Sequence, residues 1–588
     1  MKSDRSQLRR IIWICLLFYF CFSKNNIVTA KEMISVTKST TKYTNANVKI
    51  DLRFPKELKA TLITYVRGNH SRSYTKKNGK KIVCKGNTAS VIITKNGTYT
   101  VFYQLNNGKS YTKKISITNI DKTKPKMNPT YQVMNQEATV FIQGSDELSG
   151  LAYARFIKGS LSDATSKKWD TKAKKVQGIK QFTVNSEGNY SILLVDKAGN
   201  RTVKKISIML ELRGTWISYL EFSSAGVSNM TKSEFQSYIN ETFDKCLDMH
   251  QNTVIVQVRP SGDALYPSKY FPWSSYVSGK QGKNPGYNPL SYMIEAAHQR
   301  NLHFYAWVNP YRVSAVSTSI SSLSNDNQAK KWRNSSDKAT KRNVLTYANQ
   351  LYYNPAKSDV QTLIVNGIKE IVKNYKVDGV VFDDYFYPNL GSSYKTNFDY
   401  TEYKNYVTSC KSKGKKEKSI VSWRRENVNS LLKKVKRAVK EINSQVEFGV
   451  SPQGNIANLQ SSYSCYCDIS TWINSKDYID FICPQIYWST TNPAAPYEKV
   501  LNEWLDLRKK EYTKMYVAIA VYKAGMSKKE ANALSPADIR WHNSTKNLME
   551  QVKIGRDTGC VDGFMFYRYD NMISIKASKE MKNLLSIL

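Results

Sequence analysis

From Leu212 onward the chain alternates short apolar runs with amphipathic stretches. The apolar runs Thr215–Leu220, Thr253–Val258, His303–Val308, Gly379–Phe382, Glu447–Val450, Phe481–Tyr487, Met515–Val521 and Gly563–Phe566 read as eight strands. Runs that stay apolar at nearly every position mark strands buried on both faces, the habit of a parallel sheet. Between them, apolar positions at helical spacing predict helices over Lys232–His250, Leu290–Arg300, Ser358–Tyr375 and Glu426–Ile442. Eight strand–helix units predict a (β/α)₈ TIM-type barrel over residues 212–588. An open doubly wound sheet is the alternative, but no glycine-rich phosphate loop follows the first strand.

The preceding segment has a different pattern. Short alternating strands are separated by Gly and Asn turns, with little helical periodicity. Asn96-Gly97-Thr98-Tyr99-Thr100-Val101 recurs as Glu187-Gly188-Asn189-Tyr190-Ser191-Ile192, and Lys113–Ile117 recurs as Lys204–Ile208, both at an offset of 91 residues. The offset predicts two tandem all-β Ig-like sandwich modules, over 31–120 and 121–211, with Asp121–Pro125 as their linker. The segment Leu194–Asn200 resembles the closing hairpin of bacterial Ig-like surface domains, which implies a spacer or a wall-binding adaptor. At the start, Lys2, Arg5, Arg9 and Arg10 precede an uncharged apolar run from Ile11 to Phe22, followed by Val28-Thr29-Ala30. That run is too short to span a bilayer, so residues 1–30 read as a cleaved secretory signal. The expected location is secreted, extracellular or cell-wall associated, with no stable membrane span after cleavage.

Charge narrows the partners. The chain carries 88 Lys+Arg against 47 Asp+Glu, a formal +41, which favours anionic surroundings such as wall polymers or acidic glycans. The basic residues are spread along the whole length without a nucleic-acid module, so no nucleic-acid partner is expected. Five histidines, and cysteines whose closest pair, Cys465 and Cys467, is too tight for tetrahedral zinc, predict no metal site and no cofactor. Seven thinly spread cysteines beyond the signal are not a disulfide framework and read as mostly buried free thiols.

In a barrel of this type the chemistry sits at the C-terminal ends of the strands. Glu221 follows the first strand, and Arg259 and Asp263 follow the second. The third leads into Trp307, Asn309, Tyr311 and Arg312, and the fourth into Asp383, Asp384, Tyr385 and Tyr387. Gln485, Tyr487 and Trp488 follow the sixth, and Tyr522 the seventh. Carboxylates, guanidinium groups, amides and aromatic faces at one rim describe a carbohydrate cleft. Glycoside hydrolysis needs a proton donor and a second carboxylate acting as nucleophile or base. Asp383, Asp384, Asp263 and Glu221 are the candidate catalytic carboxylates, and the other named residues are candidate substrate contacts. Successive strand residues face opposite sides, so only one of Asp383 and Asp384 is expected to face the barrel mouth. Two functions remain open on these residues: a glycoside hydrolase, and a non-catalytic glycan-binding surface protein. The run Trp423-Arg424-Arg425 reads as an exposed helix start.

Seven segments in order, among them Arg213-Gly214-Thr215-Trp216, Ala306-Trp307-Val308-Asn309-Pro310-Tyr311-Arg312, Gly379-Val380-Val381-Phe382-Asp383-Asp384-Tyr385 and Pro484-Gln485-Ile486-Tyr487-Trp488, resemble the glycosyl hydrolase-like family 10 proteins. The resemblance implies a TIM-type barrel and cleavage of O-glycosidic bonds. For a bacterial member acting at the division site it implies peptidoglycan strands stripped of stem peptides as substrate. Many barrel glycosidases place Asn-Glu after strand four and Glu after strand seven. Here those places hold Asp383-Asp384 and Tyr522-Lys523, so their catalytic pair does not transfer.

Overall fold

The computed structural model describes residues 34–134, 137–315 and 317–588; the expected signal, residues 1–30, lies outside the described residues. The chain divides into two compact units, one ending at Met209 and the other running from Leu210 to Leu588.

The first unit is built of β-sandwich sheets. One pair of four-stranded sheets is centred on the strands Val48–Arg53 and Gly97–Leu105, and a third four-stranded sheet is centred on Gly188–Asp196. The sequence repeat appears as the same hairpin twice, Gly97–Leu105 with Ser110–Ile117 and Gly188–Asp196 with Arg201–Ile208. Its side-chain bonds repeat as well. The Tyr99 and Tyr190 hydroxyls donate to the carbonyls of Lys95 and Ser186, four residues upstream in each case. Thr100 and Ser191 donate to the carbonyls of Gly68 and Gly159, both held at positive φ where glycine is favoured.

The second unit is a closed eight-stranded parallel barrel. Its strands are β1 (Leu212–Ile217), β2 (Thr253–Arg259), β3 (His303–Val308), β4 (Gly379–Asp383), β5 (Glu447–Ser451), β6 (Phe481–Ile482), β7 (Lys514–Ala520) and β8 (Gly563–Tyr567). Closure between β8 and β1 excludes the open doubly wound sheet. Helices include α1 (Tyr219–Ser224), α2 (Lys232–Asp248), α3 (Pro289–Gln299), α4 (Ser358–Asn374), α5 (Tyr400–Ser412) and α6 (Ile420–Ile442). Outward residues such as Val256 on β2, Phe304 on β3 and Phe382 on β4 are fully buried in one core shared with the surrounding helices. Inward residues alternate with them. Tyr305, Phe481 and Tyr516 pack edge to tilted face inside the lower barrel, where Tyr305 donates to Glu447.

Three boundaries differ from the sequence reading, each for a local reason. β1 ends at Ile217 because Ser218 and Glu221 form a capping box that starts α1. β6 is two residues long because Pro484 has no N–H to donate; beyond it Gln485 only bridges Gln453 and Ala518. α6 begins at Ile420, capped by the Ser419 hydroxyl, not at Glu426. Among the described residues no helix is long and apolar enough to cross a membrane. All seven cysteines there are free; Cys246, Cys410, Cys465, Cys467 and Cys483 are buried.

Candidate active site

The barrel mouth holds a cavity of about 430 Å³. Trp216 of β1, Trp307 of β3 and Asp383 of β4 line it, with Tyr385 just beyond β4. Gln485 and Tyr487 come from the turn after β6, and Tyr522 follows β7. Tyr567, Arg568 and Asn571 complete the wall from the end of β8; the Tyr567–Arg568 peptide is cis. The walls are aromatic and set at angles to one another. Trp216 and Trp307 meet edge to face at 4.9 Å, and Tyr522 stands nearly perpendicular to both Tyr487 and Tyr567. Such faces suit the apolar sides of pyranose rings, and the amides and guanidinium suit their hydroxyls.

Asp383 is the carboxylate that lines the cavity. As the fifth residue of β4 it falls on the inward alternation with Val381 and Gly379. Its Oδ2 accepts from Trp307 Nε1 at 3.1 Å and from Asn309 Nδ2 at 3.2 Å, while its Oδ1 is buried and has no partner. Burial pushes the Asp383 carboxyl up to about 7; Arg312 opposes this, the charge of Asp384 adds to it, and the Trp307 and Asn309 bonds oppose it. With Oδ2 occupied by two donors, Oδ1 is the oxygen left to carry a proton. A carboxyl that is half protonated near neutral pH can hold a proton and deliver it.

Asp384 takes the opposite direction. Its Oδ2 accepts from the Gln453 backbone N–H at 2.9 Å and lies 3.9 Å from Cys465 Sγ, so it ties the β4 tip to the loop after β5. Burial raises its carboxyl too. Glu221 is not at the end of a strand. Its Oε2 accepts from Ser218 in the capping box, and its Oε1 pairs with Arg568 Nη1 at 2.6 Å. It is 1% exposed and stands behind the guanidinium that lines the cavity. Asp570 also approaches Arg568, at 3.5 Å. The Tyr567 hydroxyl feels the charges of both Glu221 and Asp383. Asp263 is buried in the loop after β2, bonded to Gln281, and is pushed by that burial up to about 6; it does not line the cavity.

Of the expected contacts, Trp307, Tyr385, Gln485, Tyr487 and Tyr522 line the cavity. Asn309 acts through Asp383, and its Oδ1 also accepts from the Arg312 backbone N–H. Arg312 stacks over the Tyr385 ring, 4.4 Å from its centroid. Four expected contacts lie elsewhere. A bulge between Gln257 and Arg259 pairs Arg259 with the outward Val308, turning its guanidinium onto Phe271 and against Gly367 of α4. Tyr311 is fully buried against Phe386. Tyr387 is buried and donates to Asp399. Trp488 packs over Gly454. Arg424 is also not at an exposed helix start. It is wholly buried, with Nη2 2.6 Å from Asp399 and Nη1 bonded to Tyr466. Trp216, Tyr567, Arg568 and Asn571 line the cavity without being among the expected contacts. A strand running to Leu220 would leave Trp216 below the rim; with β1 ending at Ile217 it is the last inward position.

One carboxylate cluster lies outside the barrel. Oxygens of Asp121, Asp146 and Asp196 lie within 4.8 Å of one another in the first unit, a set able to hold a cation. Backbone N–H groups satisfy each of the three: Thr123 and Ser149 for Asp121, Ser149 and Gly150 for Asp146, Asn200 for Asp196.

The sequence model of the glycosyl hydrolase-like 10 family matches residues 211–535, which carry β1 to β7. Glycosyl hydrolase YngK of Bacillus subtilis (strain 168) is 36% identical over 379 residues, 61% of this chain and 68% of that protein. Glycosyl hydrolase DigH of Escherichia coli (strain K12) is 34% identical over 382 residues, 61% of this chain and 83% of that protein. Among solved structures, the PgaB (BpsB) glycoside hydrolase domain from Bordetella bronchiseptica aligns with 64% of this chain and 99% of its own, at 11% identity and a TM-score of 0.41.

Proposed function

Because the chain belongs to the glycosyl hydrolase-like 10 family, we propose that its barrel hydrolyses O-glycosidic bonds of a cell-wall glycan outside the cell, with Asp383 as the proton-handling carboxyl. The observation that carries the reading is Asp383 itself: a buried carboxyl pushed up to about 7, on the wall of an aromatic cleft, with one oxygen held by Trp307 and Asn309 and the other unpartnered. Protonated Oδ1 donates to the leaving-group oxygen as the glycosidic bond breaks, and the resulting carboxylate keeps its two donors at Oδ2. Glu221, buried beside Arg568, is the proposed second carboxylate; its Oε1 pairs with Arg568 Nη1, which orients it. Asp384 and Asp263 are assigned supporting roles in the rim loops. Glycan strands without stem peptides are the proposed substrate, on the ground of the family and of a +41 chain suited to an anionic polymer.

The test is turnover by the full chain after the first 30 residues. Reducing ends released from peptide-stripped wall glycan, and not from strands carrying their peptides, support the reading. A second reading is a barrel that binds glycan without cutting it. It is favoured by one observation: both oxygens of Glu221 are already engaged, by Ser218 and by Arg568. Saturable glycan binding with no new reducing ends would select it.

A further inference from the structure

One guanidinium, Arg568, lines the cleft, and a second, Arg312, stands beside it against Tyr385; they differ in one respect. Arg568 has carboxylate partners in Glu221 and Asp570. Arg312 has no ion pair with any described residue, its side chain donates no hydrogen bond, and its buried Nε is left without an acceptor. The Tyr385 ring, 4.4 Å from the guanidinium carbon, covers one face of the fork. That contact stabilises the cation but leaves the in-plane N–H donors unused. The only carboxyl whose charge couples to it among the cleft walls is Asp383, and that group must be neutral to act as an acid. In this half-buried side chain only Nε is sealed off, so the Nη groups remain open to an anion that arrives with the ligand.

The backbone that carries it is tied into a small sheet. Arg312 opens a short strand, Arg312–Ser314, that pairs with Gln350–Tyr353. Its backbone N–H donates to Asn309 Oδ1 at 3.0 Å, and Asn309 Nδ2 donates to Asp383. The Arg312 backbone and the acid are therefore held by the two ends of one side chain. We infer that Arg312 is a specificity residue that receives a carboxylate borne by the sugar at the scissile bond, so that the preferred substrate is a carboxylated glycan. A planar fork matches a carboxylate with two parallel hydrogen bonds, which an alcohol cannot supply.

The inference rests on the hydrolase reading for its consequence in turnover, but its binding step can be measured alone. Peptide-stripped wall glycan bears a lactyl carboxylate on alternate sugars; carbodiimide activation followed by borohydride converts it to an alcohol. The full chain is titrated with matched oligosaccharides of both kinds by calorimetry, and both are tested as substrates. The expected result is about 10- to 100-fold weaker binding, and a similarly higher KM, for the reduced form, the range of a charge-assisted hydrogen-bond pair. Arg312→Gln should remove the preference, and Arg312→Lys, which keeps the charge without the fork, should retain part of it. Equal binding of the two forms by the wild type, or an undiminished preference in Arg312→Gln, overturns the inference. A binding preference with no turnover of either form leaves the Arg312 assignment standing and rejects hydrolysis.

Discussion

Replacing Asp383 by Asn should separate stability from function. Burial moves this carboxyl from an ordinary 3.8 to about 7. At 1.36 kcal/mol per pH unit, that gap amounts to about 4 kcal/mol of unfavourable charge burial at alkaline pH. Below pH 4 the carboxyl is protonated in both folded and unfolded chains and contributes nothing. Between pH 4 and 7 the folded chain keeps a proton that the unfolded chain has released, so the Asp383 contribution to stability falls as pH rises, then levels off above pH 7. Asn cannot ionise. Its carbonyl can accept from Trp307 and Asn309 as Oδ2 does, while its amide meets the unpartnered space at Oδ1, at a cost of about 1–3 kcal/mol that does not depend on pH. The stability of Asp383→Asn relative to wild type should therefore improve by about 3–4 kcal/mol from pH 4 to pH 8. Urea unfolding of both proteins at one-unit steps of pH, followed by tryptophan fluorescence, measures the difference. A difference that stays constant across this range would refute the claim that Asp383 is held protonated by its surroundings.

Three further outcomes follow from neighbouring groups. Trp307→Phe removes a donor that favours the ionised carboxyl, so the alkaline limb of kcat/KM should move to higher pH; a shift downward or none contradicts the Oδ2 assignment. Asp384→Asn touches the Gln453 loop and not the cavity, so kcat should fall by no more than about tenfold, against the 10²- to 10⁴-fold expected for loss of an acid catalyst, as read by initial rates. Arg424→Leu leaves Asp399 buried without its cation, and denaturant unfolding should show a loss of about 3–5 kcal/mol with KM little changed in any molecules that remain folded.

The barrel was legible because β3, β4 and β7 are apolar at nearly every position, as only strands buried on both faces can be. That only one of Asp383 and Asp384 faces the barrel mouth was legible too, since alternation along a strand is fixed by geometry. Other features depend on contacts that sequence spacing does not encode. Arg259 turns outward because one extra residue bulges from β2, and nothing in Val258-Arg259-Pro260 announces the bulge. Arg424 is buried because the loop after β4 folds back to offer it Asp399 and the carbonyls of Tyr394 and Asn397, 25 to 30 residues away. Glu221 lies on a helix and not at a strand end for a reason the sequence does contain: Ser218 and Glu221 stand at capping-box spacing, and the local signal for a helix outweighs the apolar run that continues through Leu220. The same early strand end puts Trp216 on the cleft wall.

The most direct test of Asp383 as the acid is the dependence of the Asp383→Asn defect on the leaving group. With a sugar leaving group, which must be protonated as it departs, the variant should lose kcat by at least about 100-fold. With an aryl glycoside of the same sugar, whose phenolate departs without a proton, the loss should be below about tenfold. Equal losses on the two substrates, or full activity on both, would contradict the role given to Asp383.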